Sequence, residues 1–207
     1  QAAKGILFSI TPHLHVLNAD DPTVSYYAAF PARKKLFFGV EDGEIRASQL
    51  DVHEDHSSFS VYGTRFNLQL GGLFNVYNAL AALSVVALYD VDLPTAKPLL
   101  ESITEIPGRL QWIQTKPFGV VVDYAHTPDS LRAVYATLRP HARKLIGVLG
   151  AAGGGRDVWK RPAFGALAGE FCDEIYITNE DPYNEDPRKI MDEVMRGIPD
   201  VSQEKVH

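Results

Sequence analysis

The run Val121-Val122-Asp123-Tyr124-Ala125-His126-Thr127-Pro128 sets an acid and an imidazole just past an apolar, β-branched segment. Such a segment reads as a buried strand, and the polar turn after it reads as the strand's end. A helical pattern starts near Asp129, so Thr127 and Asp129 read as helix-start residues. In an open α/β sheet, ligands bind just beyond the carboxyl ends of strands, which is where Asp123 and His126 fall. A histidine in a capped turn is the plainer reading of His126.

Four more stretches carry residue types suited to chemistry. Gly72-Leu73-Phe74-Asn75-Val76-Tyr77-Asn78 opens a helical pattern. Asn75 could be its N-cap. Asn78 follows one turn later on the same face, and two amides together can donate to and accept from a purine edge. Ile106-Pro107-Gly108-Arg109 is a break, and a guanidinium at a hinge can reach phosphates when domains close; a surface Arg after a tight turn is the alternative. Gly150-Ala151-Ala152-Gly153-Gly154-Gly155-Arg156-Asp157 lies between a strand and a helix, and is neither a dinucleotide fingerprint nor a P-loop. Thr178-Asn179-Glu180-Asp181-Pro182-Tyr183-Asn184-Glu185-Asp186-Pro187 follows another strand. Lys4, taken alone, is a solvated helix residue, and Asn18–Asp21 read as turn and cap residues.

In this order, the motifs resemble those of the Mur ligases, the ATP-dependent amino-acid-adding enzymes of peptidoglycan synthesis. They look most like the branch that adds the third residue of the stem peptide (MurE type). The resemblance runs from the Ala-Ala-Lys at Lys4 to Pro187, and it implies roles. Lys4, as a carbamate, is a metal-site residue for Mg²⁺, which prefers hard oxygen ligands. Asn75 and Asn78 contact ATP. Arg109 and His126 lie by the phosphates, and with Lys4 form the catalytic set. Asp123 meets the ribose hydroxyls. Arg156, within Gly-Gly-x-Arg-Asp-x-x-Lys-Arg-Pro, holds the carboxylate of the incoming amino acid, as a bidentate guanidinium can. Lys160 and Arg161 read as structural or solvated.

Glu180, Asp181 and Tyr183 lie on the loop that selects that amino acid. The diaminopimelate-adding branch carries Asp-Asn-Pro-Arg there, whereas this chain has Glu180-Asp181-Pro182-Tyr183. Two acids and no guanidinium suit lysine or another diamino acid better; an acidic solvated loop is the other reading of Tyr183.

These residues need a frame. The resemblance implies an α/β chain: the later part of a Mur ligase central ATPase domain (residues 1–108), then a truncated Rossmann-like C-terminal domain with a mostly parallel sheet (residues 111–207). The periodicity agrees. A helix is expected from Gln1 to Phe8, and strands at His15–Asn18 and Lys35–Val40. A hairpin should turn near Gly63, and an Ala-rich helix should span Asn75–Tyr89, packed on both faces. Beyond Trp112, strands at Val120–Val122, Leu145–Leu149 and Glu174–Thr178 alternate with helices, which implies a parallel sheet.

Composition sets the outer bounds. The chain has 207 residues, 45% hydrophobic and 22% charged, as in ordinary globular proteins. Net charge −6 argues against a nucleic-acid or anionic-membrane surface. One cysteine, Cys172, fits a reducing compartment, and no apolar run reaches membrane-spanning length. The expectation is a monomeric cytoplasmic ligase, using ATP and Mg²⁺ on a UDP-N-acetylmuramoyl peptide and an amino acid. The chain is expected to be a fragment cut at both ends and, with no P-loop in it, inactive alone. Two alternatives stay open: a folylpolyglutamate- or cyanophycin-synthetase-like ligase, and a non-catalytic nucleotide-binding homologue.

Overall fold

The structure is a computed structural model and describes residues 2–155 and 157–207. They form two compact units, one ending at Pro107 and the other beginning at Gly108. The α/β class expected from the sequence is what the fold shows.

In the first unit, helix α1 (Ala2–Ile10) leads into strand β1 (Leu14–Asn18), short helix α2 (Val24–Ala28), and strands β2 (Lys34–Gly39) and β3 (Ile45–Arg46). The expected helix start, Gln1, lies outside the described residues. β1, β2 and β3 form a parallel sheet in that order. β4 (Ser48–Val52), β5 (Ser57–Val61) and β6 (Thr64–Leu68) form an antiparallel one. The expected hairpin is β5–β6. Its two-residue turn, Tyr62-Gly63, has φ of 46° and 80°, the left-handed pair that matches strand twist. That register puts Phe59 opposite Phe66, with ring centroids 5.4 Å apart. Both rings are fully buried, each contributing about 1.5–3 kcal/mol.

Helix α3 (Leu73–Leu88) packs on both sheets, and α4 (Leu93–Glu101) packs on α3 and β6. Two expectations for α3 need correction. It begins at Leu73 with Gly72 as N-cap, so Asn75 sits inside the first turn and is not the cap. It is also buried on one broad face, through Val76, Ala79, Leu80, Leu83, Ser84 and Leu88, while Asn78, Ala82, Val85 and Tyr89 face outward. Small residues let the helix lie close to the sheets without burying its outer stripe.

In the second unit, β7 (Gln111–Gln114) and β8 (Val120–Val122) pair antiparallel. β8 therefore departs from the parallel pattern read from the strand–helix alternation. β9 (Ile146–Leu149) and β10 (Glu174–Ile177) do pair parallel. Helices α5 (Pro128–Leu138), α6 (Lys160–Phe171) and α7 (Pro187–Met195) pack in sequence, and α7 lies on β10. Leu131, Phe164, Leu167, Ile175, Ile190 and Val194 form the centre of this unit's core. Thr127 caps α5 with a reciprocal Ser130 capping box and Pro128 at the first turn, so the helix start is where the sequence signals it.

Candidate functional site

The strand-end acid and the segment Gly108-Arg109-Leu110 meet in the second unit. Leu110 N–H donates to Asp123 Oδ2 at 2.6 Å, and Tyr124 N–H donates to the Gly108 carbonyl at 2.8 Å. Leu110 takes φ of 44°, so this bend is held in a left-handed turn. Arg109 lies over the Tyr124 ring at 4.9 Å, and the His126 ring centroid lies 5.1 Å from that of Tyr124. The Tyr124 carbonyl is 3.1 Å from His126 Nδ1, which donates to it in that tautomer. Arg109, Asp123 and His126 thus gather around the Leu110 amide and the Tyr124 ring at a strand end, with Arg109 and His126 exposed and Asp123 half-buried. Asp123 keeps a second carboxylate oxygen with no hydrogen-bond partner among the described residues. Tyr124 escaped the sequence reading as a functional candidate; an aromatic between the cationic and imidazole positions was the available signal.

In the first unit, Asn78 Nδ2 donates to Asn75 Oδ1 at 3.2 Å, and Asn75 Nδ2 donates to the Gly71 carbonyl at 2.8 Å. Asn75 is buried with both ends of its amide engaged, while Asn78 is exposed. The inner amide orients the outer one. Tyr77, between them, donates to Asp20 Oδ2 at 2.8 Å. The same carboxylate accepts from the amides of Val40, Glu41 and Asp42. Burial opposes ionisation of Asp20, but those donors outweigh it and its pKa lies below the ordinary value. Burial and that carboxylate push the Tyr77 phenol up to about 12. Asp21 caps its turn through the Thr23 amide and hydroxyl, so this acidic pair is structural, in keeping with its turn-like sequence.

Lys4 is exposed on the first turn of α1, within electrostatic reach of Asp21. The aromatic cluster of Phe8, Tyr27 and Phe30 anchors the helix, and Lys4 takes no part in it. A carbamate on Lys4 would offer a hard cation such as Mg²⁺ one oxygen. Among the described residues, no group of three or more His, Cys, Asp or Glu could hold a metal ion.

The loops after β9 and β10 are joined. Gly153 N–H donates to the Asp181 carbonyl at 2.7 Å, and a Cβ on Gly153 would lie 2.1 Å from the Pro182 oxygen, so only glycine allows this approach. Tyr183 holds φ of 51° with its exposed ring against Gly154. Glu180 and Asp181 are exposed on the same loop. Arg156, expected to hold an amino-acid carboxylate, lies outside the described residues. Arg161, read from sequence as structural or solvated, is 2% exposed and ion-paired to Glu185 and Glu193. The sequence offered no signal for its partners.

The Arg161 guanidinium, with the Gly155 amide, holds Glu185 down to about 2 from an ordinary value of 4.5. A native pKa below the unfolded one stabilises fully above about pH 4.5, and that contribution is lost as pH falls toward 2. The Gly155 amide shift should therefore titrate with a midpoint near 2, and Glu185→Gln should abolish the step. An NMR titration with a midpoint near 4.5 would show that the pair does not form.

Two α/β units carry polar clusters at strand ends and at a helix start. The chain belongs to the Mur ligase family. Residues 1–86 match the Mur ligase middle domain, and residues 108–207 match the Mur ligase glutamate ligase domain. A UDP-N-acetylmuramoyl-L-alanyl-D-glutamate–2,6-diaminopimelate ligase of Geobacillus thermodenitrificans is 34% identical over 95% of this chain. The chain spans 43% of that relative's length. A solved structure of a ligase with the same printed name is 30% identical, with TM-score 0.55, covering 96% of this chain and 43% of the other. Mycobacterium tuberculosis folylpolyglutamate synthase, solved with ADP and AMPPCP, has TM-score 0.76 at 21% identity, covering 100% of this chain and 49% of that one. That last likeness is one of fold alone.

Proposed function

We propose that the protein carrying this chain is an ATP-dependent acid–amino acid ligase that adds the third residue to a UDP-N-acetylmuramoyl dipeptide. The observation that carries the reading is the Arg109–Asp123–His126 cluster, formed by family motifs in a chain whose relatives are named for that reaction. In such a reaction ATP phosphorylates the peptide's terminal carboxylate, the amine attacks the acyl phosphate, and the tetrahedral intermediate releases phosphate as the amide forms. Mg²⁺, when bound, neutralises phosphate charge, with Lys4 as its carbamate supplying one oxygen.

The chain's own residues position and compensate charge. Asn78 presents its outward amide to the adenine edge, and Asn75 holds it in place. The open oxygen of Asp123 accepts from ribose hydroxyls. Arg109, held over Tyr124, and His126 meet phosphate oxygens. Glu180, Asp181 and Tyr183, with Arg156, receive the amino acid. The reading carries with it a monomeric cytoplasmic enzyme; no helix among the described residues is long and apolar enough to cross a membrane.

The test uses the full-length protein. Asn78→Ala and Asp123→Ala should each raise KM for ATP by about 5- to 150-fold, the loss of a hydrogen bond worth about 1–3 kcal/mol. KM for the amino acid should stay near its original value. Unchanged ATP kinetics in both variants would remove these residues from the nucleotide site.

A further inference from the structure

We propose that Arg161 and Glu185 are positioning residues for the incoming amino acid, their ion pair fixing the two strand-end loops that receive it. This rests on the ligase reading above. Arg161 Nη1 donates to Glu185 Oε2 at 2.9 Å and to Glu193 Oε2 at 2.6 Å. Its Nη2 donates to Glu185 Oε1 at 3.0 Å and to the Ala152 carbonyl at 3.1 Å. Glu185 Oε1 also accepts from the Gly155 amide at 2.7 Å. One guanidinium thereby ties together the loop after β9, the start of α6, the loop after β10, and α7.

The chemistry of this set points to geometry more than to stability. Two carboxylates share one guanidinium, and their side chains are 20% and 14% exposed. Arg161 Nε, also buried, has no hydrogen-bond partner among the described residues. A buried ionic set is weak evidence for stability, because apolar groups of similar volume often serve as well. What a bidentate guanidinium–carboxylate pair does supply is a fixed distance and a fixed plane.

Its attachments determine what is fixed. Gly155, held by Glu185, immediately precedes Arg156. Glu185 N–H donates to the Pro182 carbonyl at 3.0 Å, and Gly153 N–H holds the Asp181 carbonyl. The backbone around Glu180–Tyr183 and around Gly153–Gly155 is therefore pinned to the same ion pair. Both loops leave the carboxyl ends of the parallel strands β9 and β10, the edge at which α/β sheets bind ligands. A misplacement of about 1 Å at a reacting group can cost about a hundredfold in rate. Glu193 bonds to Arg161 and, among the described residues, has no hydrogen bond to either loop, which makes it an internal control.

The experiment measures steady-state kinetics of the full-length protein and its Glu185→Gln, Arg161→Lys and Glu193→Gln variants, together with thermal melts. Glu185→Gln and Arg161→Lys should raise KM for the amino acid by about tenfold or more, with KM for ATP and for the UDP-linked substrate within about twofold. Glu193→Gln should change KM for the amino acid by less than about threefold. A purely structural pair would lower the melting temperature and leave all KM values unchanged, or move them together; either result overturns the proposal. If Arg161→Lys fails to fold, the near-isosteric Glu185→Gln decides alone. A wild-type protein that ligates no amino acid would overturn the ligase reading and this proposal with it. A wild type that ligates, with an unchanged amino-acid KM in Glu185→Gln, would overturn the positioning role only.

Discussion

Lys4→Ala in the full-length protein should lower kcat about a thousandfold, roughly 4 kcal/mol, the scale of losing one preorganised group that compensates transferring charge. The side chain is exposed at the start of α1, open to carbon dioxide and solvent. Its loss removes no packing, because Phe8 and its aromatic neighbours anchor the helix, and alanine is the better helix former. Folding should therefore survive, and a melt within a few degrees of wild type is expected. A short-chain carboxylic acid, or bicarbonate at high concentration, should restore part of the activity by supplying the missing oxygen. Labelling with carbon-13 bicarbonate gives a readout independent of turnover: a carbamate resonance in the wild type, absent from the variant. A fully active Lys4→Ala enzyme without such a resonance in the wild type would remove Lys4 from the metal site.

The elements legible in the sequence were those set by local rules. The β5–β6 hairpin turns where Tyr62-Gly63 can take two positive φ values, and α5 starts where Thr127-Pro128 supplies a cap and a fixed φ. What local rules did not carry is pairing. Val120–Val122 is as good a central parallel strand as an antiparallel one, and only its register with Gln111–Gln114 decides. The five-residue α2, with two tyrosines and a valine, is too short for a helical period to be detected. The start of α3 was misplaced because Asn75 is a good cap in isolation. In the fold its amide reaches back to the Gly71 carbonyl from inside the first turn.

The candidate site divides along the same line. Asp123, His126 and Arg109 were legible because strand ends and family motifs mark them. The turn that gathers them around Leu110 and Tyr124 was not, since no periodicity describes the Leu110–Asp123 bond that closes it. Arg161 shows the limit most clearly. Its partners Glu185 and Glu193 lie 24 and 32 positions further along, and nothing local distinguishes it from the neighbouring Lys160. Buried ion pairs of long sequence separation are properties of packing, so they appear only once the loops after β9 and β10 are in place.

The choice of amino acid turns on the loop Glu180-Asp181-Pro182-Tyr183. The relatives are named for diaminopimelate. Lysine and diaminopimelate share a distal ammonium, which the exposed Glu180 and Asp181 can both attract. They differ in the second carboxylate, and at the position where a guanidinium would meet it this chain places Tyr183, turned against Gly154 at φ of 51°. A phenol can donate one hydrogen bond, but it brings no charge, and two nearby acids repel the incoming carboxylate. Losing that charge-assisted pair should cost diaminopimelate about 2–4 kcal/mol, roughly thirty- to a thousandfold in kcat/KM. The full-length enzyme should therefore incorporate lysine, or a similar diamine-bearing amino acid, in preference to diaminopimelate when both are supplied at equal concentration. Tyr183→Arg should shift that ratio toward diaminopimelate, because it returns the guanidinium to the loop. Predominant incorporation of diaminopimelate by the wild type would mean that another cation meets the second carboxylate. Arg188 and Lys189, exposed at the start of α7, are the first to exchange for neutral residues in that case, since they are the next cations in sequence after that loop.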